Sequence, residues 1–339
     1  MVVVPDHATV GIIRSITLPF TPARIMPQPL VSILIPSRNA ERWLAETLAS
    51  ALGQTWTNRE IILVDDGSTD GSLALARSYE AQGVRVIAQP NFGASAARNR
   101  AFRESRGDLL QFLDADDLLS PDKIERQVAE LTRRPVGTVA SCAWGRFTTD
   151  PAQAVFVDDT VYRDFLPIDF LVLGGEGFHM MHPSAWLTPR AVAVRAGPWD
   201  ESLTLNDDGE YFCRVLLAST GVAFTPGARS YYRSGLSGSL SQRHDERSRR
   251  SQFRSIELIE QHLLTAEDSP RTRRARAGYY QRFLHDFFPF PAELMRAAES
   301  QVTVLGGTSL PPPMGPKTAA LARLVGWKTV WRLKYWLHR

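Results

Sequence analysis

The sequence has 339 residues, of which 44% are apolar and 22% are charged, and its formal net charge is +3. This length exceeds that of a typical single domain, so we expect one large domain with an appended region, or two domains. The small net charge argues against a dedicated nucleic-acid-binding protein.

Residues 1–29 are rich in proline and show no sustained hydrophobic period, so we predict a disordered lead-in. An apolar patch near residues 10–18 is interrupted by Arg14 and lacks a basic flank, which argues against a signal peptide. No segment reaches about 18 uncharged apolar residues, so no transmembrane helix is predicted. The two cysteines, Cys142 and Cys213, show no metal-ligand spacing, and a reducing cytosol is the default environment.

From residue 31 the pattern alternates between short β-rich runs and helical periods. The predicted strands are Val31–Ile35, Glu60–Val64, Val84–Ala88 and a central strand through Leu109–Leu113, and the helices between them are Glu41–Leu52, one from Asp70 and Gly93–Glu104. Strands separated by helices predict an α/β fold with a Rossmann-like, mostly parallel sheet flanked by helices.

Three acids follow the central strand at once: Asp114, Asp116 and Asp117. They repel one another unless a cation lies among them, and their oxygen ligands suit Mg²⁺ or Mn²⁺. In an open α/β sheet this carboxyl edge is also where ligands bind. The alternative is a solvated loop in which Asp117 or Ser120 caps the following helix.

Other polar groups are predicted at the same edge of the sheet. They are Ser37, Arg38, Asn39 and Glu41 after the first strand, Asp65 and Asp66 after the second, and Asn91, Gly93 and Arg98 after the third. Asp66 suits a ribose hydroxyl or a base N–H, while the helix start at Gly93 with Arg98 beside it suits a diphosphate. The alternatives are a turn sequence around Asp66 and a surface cation at Arg98.

Four motifs in this half resemble the inverting family 2 glycosyltransferases of the GT-A fold. They are VSILIPSRNAERWLAETLASALGQTW, IILVDDGSTDGS, NFGASAARNRAF and LQFLDADD, and the resemblance is tight over residues 30–130 and looser to about 240. The resemblance implies a nucleotide-sugar donor and a divalent metal, Mg²⁺ or Mn²⁺, held by Asp116 through the diphosphate. The donor-binding residues that it implies are Pro36, Arg38, Asn39, Glu41, Asp66, Arg98 and Asp114. Arg38 stands where the family often has an aromatic or small residue.

A second family-like signature begins at Ala196 and leads into the acidic pair Asp207 and Asp208. By resemblance, Asp208 is the catalytic base, and a carboxylate is chemically suited to accept the proton of an acceptor hydroxyl. The alternative is that both acids cap a helix. Asp207, His179 and His182 are candidate contacts to acceptor or metal, although a lone histidine is more often structural.

The last third changes character, and we predict a helical extension over residues 241–310 after a catalytic domain over 30–240. A proline linker then precedes a basic, aromatic helix, Thr318–Arg339, within a last segment of residues 311–339. The basic residues of this last segment are Lys317, Arg323, Lys328, Arg332, Lys334 and Arg339. Tryptophan, tyrosine and cations together favour a membrane interface. A helix packed on the catalytic domain or on a partner is the alternative.

The function that this pattern predicts is metal-dependent inverting glycosyl transfer. The donor is expected to be UDP-linked, and the acceptor a hydroxyl of a glycan or lipid-linked molecule in surface polysaccharide synthesis, with no nucleic-acid partner. The expected location is cytoplasmic, with peripheral contact at the inner face of the membrane through the last helix. A sugar nucleotidyltransferase and a non-catalytic nucleotide-binding or signalling module are the alternatives. A dinucleotide oxidoreductase is disfavoured, because no G-x-G-x-x-G follows the first strand.

Overall fold

The computed structural model describes residues 28–177, 179, 181–235, 245–289 and 291–337. Most of the predicted lead-in and the Gly/Ser-rich stretch 236–244 lie outside these residues. Within the described chain, no helix is long and apolar enough to cross a membrane.

Strands and helices alternate through the first half, as the sequence predicts. They are β1 (Val31–Ser37), α1 (Glu41–Leu52), β2 (Arg59–Asp66), α2 (Ser72–Arg77), β3 (Val84–Gln89), α3 (Ala94–Glu104) and β4 (Leu109–Phe112). The strands β3, β2, β1 and β4 pair in that order, all in parallel. A short antiparallel strand, β8 (Thr188–Pro189), completes this sheet beside β4.

A second sheet follows in the middle of the chain. The remaining elements there are β5 (Leu118–Leu119), α4 (Lys123–Leu131), β6 (Thr138–Phe147), β7 (Val155–Phe156), α5 (Pro167–Glu176), α6 (Arg190–Ala196), α7 (Asp207–Leu217) and β9 (Gly221–Arg233). The strand order is β5, β9, β6 and β7, with β6 and β9 parallel. The short strand β7 pairs with β6 in antiparallel orientation through Val155 and Phe156.

Both faces of the first sheet are covered, which explains why β1 reads as a continuous buried run. Leu34 belongs to one hydrophobic cluster with residues of α3 and α7, while Ile33 and Ile35 belong to another with residues of α1 and α4. Each fully buried side chain of this size contributes about 1.5–3 kcal/mol to folding. The sheet is thus a rigid support for the loops that leave its carboxyl edge.

The C-terminal region is helical, with α8 (Glu246–Ala266), α9 (Pro270–Phe287), α10 (Ala292–Val304), α11 (Pro316–Val325) and α12 (Trp327–Leu337). Helices α8, α9 and α10 share a third hydrophobic cluster, which includes Phe253, Tyr280 and Phe283.

The single terminal helix that the sequence predicts is instead two helices. Gly326 adopts a left-handed φ of +81° and ends α11, because the α-helix cannot continue through that conformation. One face of α12 packs on α9: the Trp331 Nε1 donates to the His285 carbonyl at 2.8 Å, and Val330 is buried. That face of the helix therefore packs on α9 of the helical extension.

Candidate active site

The loops after β1 and β2 are joined to each other by two of the predicted donor-binding residues. Asn39, in a left-handed conformation, accepts a hydrogen bond from the Thr69 N–H at 2.8 Å. Glu41 accepts one from the Gly71 N–H at 2.9 Å. These two side chains therefore fix the shape of the crevice wall, while Pro36 lies buried within β1 beneath it.

Asp66 organises the third loop of the wall. Its carboxylate accepts hydrogen bonds from the backbone N–H groups of Phe92 and Gly93 at 2.9 and 2.8 Å. The amide of Asn91, oriented to match its neighbours, donates to Asp66 at 2.9 Å and accepts from Arg38 at 3.0 Å. Gly67 must be glycine here, because its φ is +68° and a Cβ would lie 2.8 Å from the Asn91 nitrogen. The four predicted residues Arg38, Asn39, Glu41 and Asp66 thus line one side of the site.

Arg98 lies at the centre of the site, between two acids that are far apart in sequence. Its guanidinium donates to Asp114 and to Asp207, each at 2.8 Å, and lies 4.5 Å from the centre of the Trp199 ring. Only 7% of its side chain is exposed. Although burial opposes the charge, the two carboxylates raise the pKa of Arg98 further above its ordinary value. Arg98 therefore remains a cation that joins the first signature to the second.

The second signature is docked by a neighbouring residue of α3. Asn99 accepts a hydrogen bond from the Trp199 N–H and donates to its carbonyl, both at 2.9 Å. Trp199 stacks on Tyr211 of α7 with ring centres 4.0 Å apart. The NFGASAARN motif thus positions α7, and with it the acidic pair at the start of that helix.

Asp208 has the properties of a proton acceptor. It lies in the first turn of α7, where its carboxylate accepts a hydrogen bond from the Gly209 N–H at 2.9 Å. Burial, followed by the charge of Asp207, raises the pKa of Asp208 to about 6. A carboxylate with this pKa is ionised near neutral pH and is more basic than an ordinary aspartate.

The three acids after β4 occupy different environments. Asp114 binds Arg98, whereas the carboxylate of Asp116 accepts no hydrogen bond from another described residue. Burial, followed by the charges of Asp117 and Asp114, raises the pKa of Asp116 to about 8. A divalent cation at this carboxylate would reverse that effect, because a cation favours the ionised form.

Asp117 is fully buried and serves the scaffold. It accepts a hydrogen bond from the Arg233 N–H at 2.9 Å and lies 3.0 Å from Nδ1 of His182. The other ring nitrogen of His182 lies 2.9 Å from the Ser230 hydroxyl. Burial lowers the pKa of His182 to about 4. Both nitrogens of this neutral ring are therefore already engaged within the protein.

His179 is held by a different part of the chain. Its Nδ1 lies 2.8 Å from Asp159, and its Nε2 lies 3.5 Å from the Thr160 hydroxyl. Among the described residues, no group of three or more His, Cys, Asp or Glu side chains is arranged to hold a metal ion.

Several residues of the site were not found from the sequence. The turn formed by residues 114–117 after β4 is called the D-x-D turn. It is contacted by Thr47 and Arg233, and Arg233 in turn contacts Glu46, although all three residues lie far from the turn along the chain. A Tyr-Arg pair at residues 232 and 233 was the one available signal, and it does not reveal which residues the arginine contacts.

Comparisons with known proteins place this geometry in context. Residues 32–193 match the model of glycosyl transferase family 2. A putative teichuronic acid biosynthesis glycosyltransferase, TuaG, of Bacillus subtilis is 38% identical over 120 residues, which are 34% of this chain and 45% of that protein. The chain spans about half the length of the curated relatives it matches.

Two solved structures resemble the whole fold. Residues 1–349 of S. aureus TarS in complex with UDP-GlcNAc align with a TM-score of 0.64 at 17% identity, over 81% of this chain and 80% of that one. The mannosyltransferase PcManGT from Pyrobaculum calidifontis, in complex with GDP-Man and Mn²⁺, aligns with a TM-score of 0.54 at 18% identity, over 93% and 87%. These similarities confirm the predicted α/β, GT-A fold with a helical C-terminal region.

Proposed function

Because residues 32–193 match the model of glycosyl transferase family 2, we propose that the chain is a metal-dependent, inverting glycosyltransferase. It would move a sugar from a nucleotide-sugar donor, expected to be UDP-linked, to a hydroxyl of a glycan or lipid-linked acceptor. The carrying observation is the bridge through Arg98, which joins Asp114 of the donor-side signature to Asp207 beside the candidate base.

The proposed reaction is a single displacement. Asp208 accepts the proton of the acceptor hydroxyl while that oxygen forms a bond to the anomeric carbon of the sugar. The bond from the anomeric carbon to the diphosphate breaks at the same time and leaves a nucleoside diphosphate. Attack opposite the leaving group inverts the anomeric centre. The pKa of about 6 for Asp208 supports this role, because the base is then ionised at neutral pH.

The residues present fit a divalent cation. Asp116, with Asp114 beside it, supplies the hard oxygen ligands that Mg²⁺ and Mn²⁺ prefer, and such ions in proteins are held by one or two carboxylates together with substrate phosphates. When bound, the ion would neutralise the negative charge that develops on the departing diphosphate. A bound cation would offset the repulsion between the Asp116 carboxylate and the neighbouring acids Asp114 and Asp117.

The donor and acceptor classes are supported by the relatives. A structural neighbour is described with UDP-GlcNAc, and a curated relative is named for teichuronic acid biosynthesis. We therefore extend to this chain a UDP-linked donor and a role in surface polysaccharide synthesis. Direct contacts of Asp66, Arg38 and His182 to donor or acceptor remain predictions.

We also propose that the enzyme works at the cytoplasmic face of a membrane, held there peripherally by its last two helices. The support is the face of α11 and α12 that does not pack on α9. Leu324 is 84% exposed and Trp336 is 77% exposed, and the exposed cations Arg323 and Arg332 lie close to them in sequence. Each cation near an anionic leaflet contributes on the order of 1 kcal/mol, and the apolar side chains add burial.

A donor screen that scores nucleotide release tests the activity. We expect free UDP to form from one UDP-sugar in the presence of Mn²⁺ or Mg²⁺, with loss of activity on chelation. Release of pyrophosphate from a sugar phosphate and a nucleoside triphosphate would instead identify a nucleotidyltransferase. Binding of nucleotide without any turnover of a complete donor and acceptor panel would contradict both.

A further inference from the structure

The backbone of the D-x-D turn is held from two sides by residues with no role in the chemistry proposed so far. From one side, the Thr47 hydroxyl of α1 contacts the carbonyl oxygens of Ala115 and Asp117 at 3.0 and 2.9 Å. From the other, the Arg233 Nε donates to the Asp116 carbonyl at 2.9 Å. The carbonyls of three consecutive residues in the turn are therefore all bound by side chains from distant elements.

Arg233 holds the turn through its main chain as well. Its backbone N–H donates to the Asp117 carboxylate at 2.9 Å. The guanidinium lies between two aromatic rings, 4.1 Å from the centre of the Trp43 ring and 4.4 Å from that of Phe147. Because the rings fix its plane, the guanidinium holds its donors in that plane, where they reach the Asp116 carbonyl, the Thr148 carbonyl and Glu46.

This arrangement is costly for stability alone. The Arg233 side chain is fully buried, and the carboxylate that it pairs with among the described residues, Glu46 at 2.8 Å, is 45% exposed. Burying a guanidinium costs several kcal/mol, and the charges that compensate it are the half-exposed Glu46 carboxylate and the acids of the turn itself, Asp116 and Asp117. A residue of this kind is better explained by what it positions than by the stability that it adds.

We infer that Arg233, together with Thr47, is a positioning residue that fixes the backbone of the D-x-D turn and so places the Asp116 carboxylate for the metal–diphosphate complex of the donor. This inference rests on the proposed function for its ligand. Arg233 touches neither donor nor acceptor in this scheme, and it acts through the peptide groups on either side of Asp116.

The experiment compares Arg233→Met and Arg233→Lys with a matched control, Arg276→Met. Arg276 is a buried arginine of α9, with 7% of its side chain exposed and an ion pair to Glu260 at 2.7 Å, so its loss reports general destabilisation. Titration calorimetry measures UDP binding with and without Mn²⁺. Hydrogen–deuterium exchange measures the protection of a peptide spanning residues 112–120.

For Arg233→Met we expect Mn²⁺-dependent UDP affinity to fall at least tenfold, metal-free UDP affinity to change less than twofold, and exchange in the 112–120 peptide to become faster. The Mn²⁺-dependent UDP affinity and the exchange rate of Arg233→Lys should lie between those of Arg233→Met and the wild type, because an ammonium cannot reproduce the planar fork of a guanidinium. The control should match the wild type in both measurements. If Arg233→Met binds Mn²⁺–UDP and exchanges like the wild type, or if the control shows the same losses, the positioning role is wrong.

Two further arms separate this inference from folding defects and from the proposed function. If Arg233→Met does not fold, Thr47→Val replaces it, since the substitution is close in shape and removes both hydroxyl contacts to the turn. For Thr47→Val, a smaller loss of Mn²⁺-dependent UDP affinity together with faster exchange in the 112–120 peptide supports the inference. Wild-type values in both measurements overturn it. If the wild type itself binds no Mn²⁺–UDP, the proposed donor class fails, and the exchange measurement alone then decides whether Arg233 fixes the turn.

Discussion

Replacement of Asp208 by asparagine tests the assignment of the catalytic base. The substitution keeps the size of the side chain and removes its ability to accept a proton. A positioned general base typically contributes 10²- to 10⁴-fold in rate, so we expect turnover to fall by at least about 10²-fold. Donor affinity should barely change, because Asp208 acts on the acceptor hydroxyl and not on the nucleotide.

The pKa of Asp208 gives this test a second, independent readout. Burial and the charge of Asp207 raise the pKa from 3.8 to about 6, which corresponds to about 3 kcal/mol against the charged form. Asp208 is the active base only when it is deprotonated, so turnover should be full above this pKa and fall as the pH drops through it. From pH 7.5 to pH 5 the deprotonated fraction, and with it kcat/KM, falls about tenfold.

The assay is nucleotide release over pH 5–8 at donor and acceptor concentrations well below their KM values, where the rate reports kcat/KM, with calorimetry for donor affinity. Asp208→Asn should lose the decrease in rate at low pH as well as most of the rate. Asp207→Asn serves as the comparison, because removal of the neighbouring charge should lower the pKa of Asp208 and move that decrease to lower pH. An Asp208→Asn enzyme that retains the wild-type pH profile would refute the assignment. An equal loss of donor affinity would place Asp208 in the donor pocket.

Three other changes probe the metal site, the helical region and the tail. Asp116→Asn should abolish transfer and metal-dependent UDP binding without unfolding the protein, as calorimetry and circular dichroism would show; wild-type activity in a chelator would contradict this. Phe283→Ala empties a buried position in the α8–α10 cluster, so chemical denaturation should report a loss of about 3–5 kcal/mol in the free energy of unfolding; a loss below about 1 kcal/mol would mean that the cluster contributes little. The wild-type protein should sediment with anionic liposomes in low salt and dissociate from them as added salt screens the attraction. The double variant Leu324→Glu, Trp336→Glu should stay folded and should not bind the liposomes. Equal sedimentation of the two proteins would remove the membrane assignment.

The sequence determined the parts of this protein that local patterns control. The buried run of β1 and the alternation of strands with helices predicted the parallel sheet, because a strand covered on both faces must be apolar throughout. The acids after β4 were predicted at the carboxyl edge, since parallel strands end there together. The start of α7 at Asp207 followed in the same way from its motif.

The tertiary structure alone decided which side chains meet. Arg98 was expected to bind a diphosphate, yet it lies between Asp114 and Asp207, because the packing of α3 against α7 brings an acid 109 positions away within 2.8 Å. His182 was a candidate contact to acceptor or metal, and the structure shows that its ring is held by Asp117 and Ser230. Hydrophobic periods fix which face of an element is buried, but they carry no information on which charged residues from distant elements share that interior. Such pairings depend on how the helices and sheets pack, and that is where the organisation of this site was set.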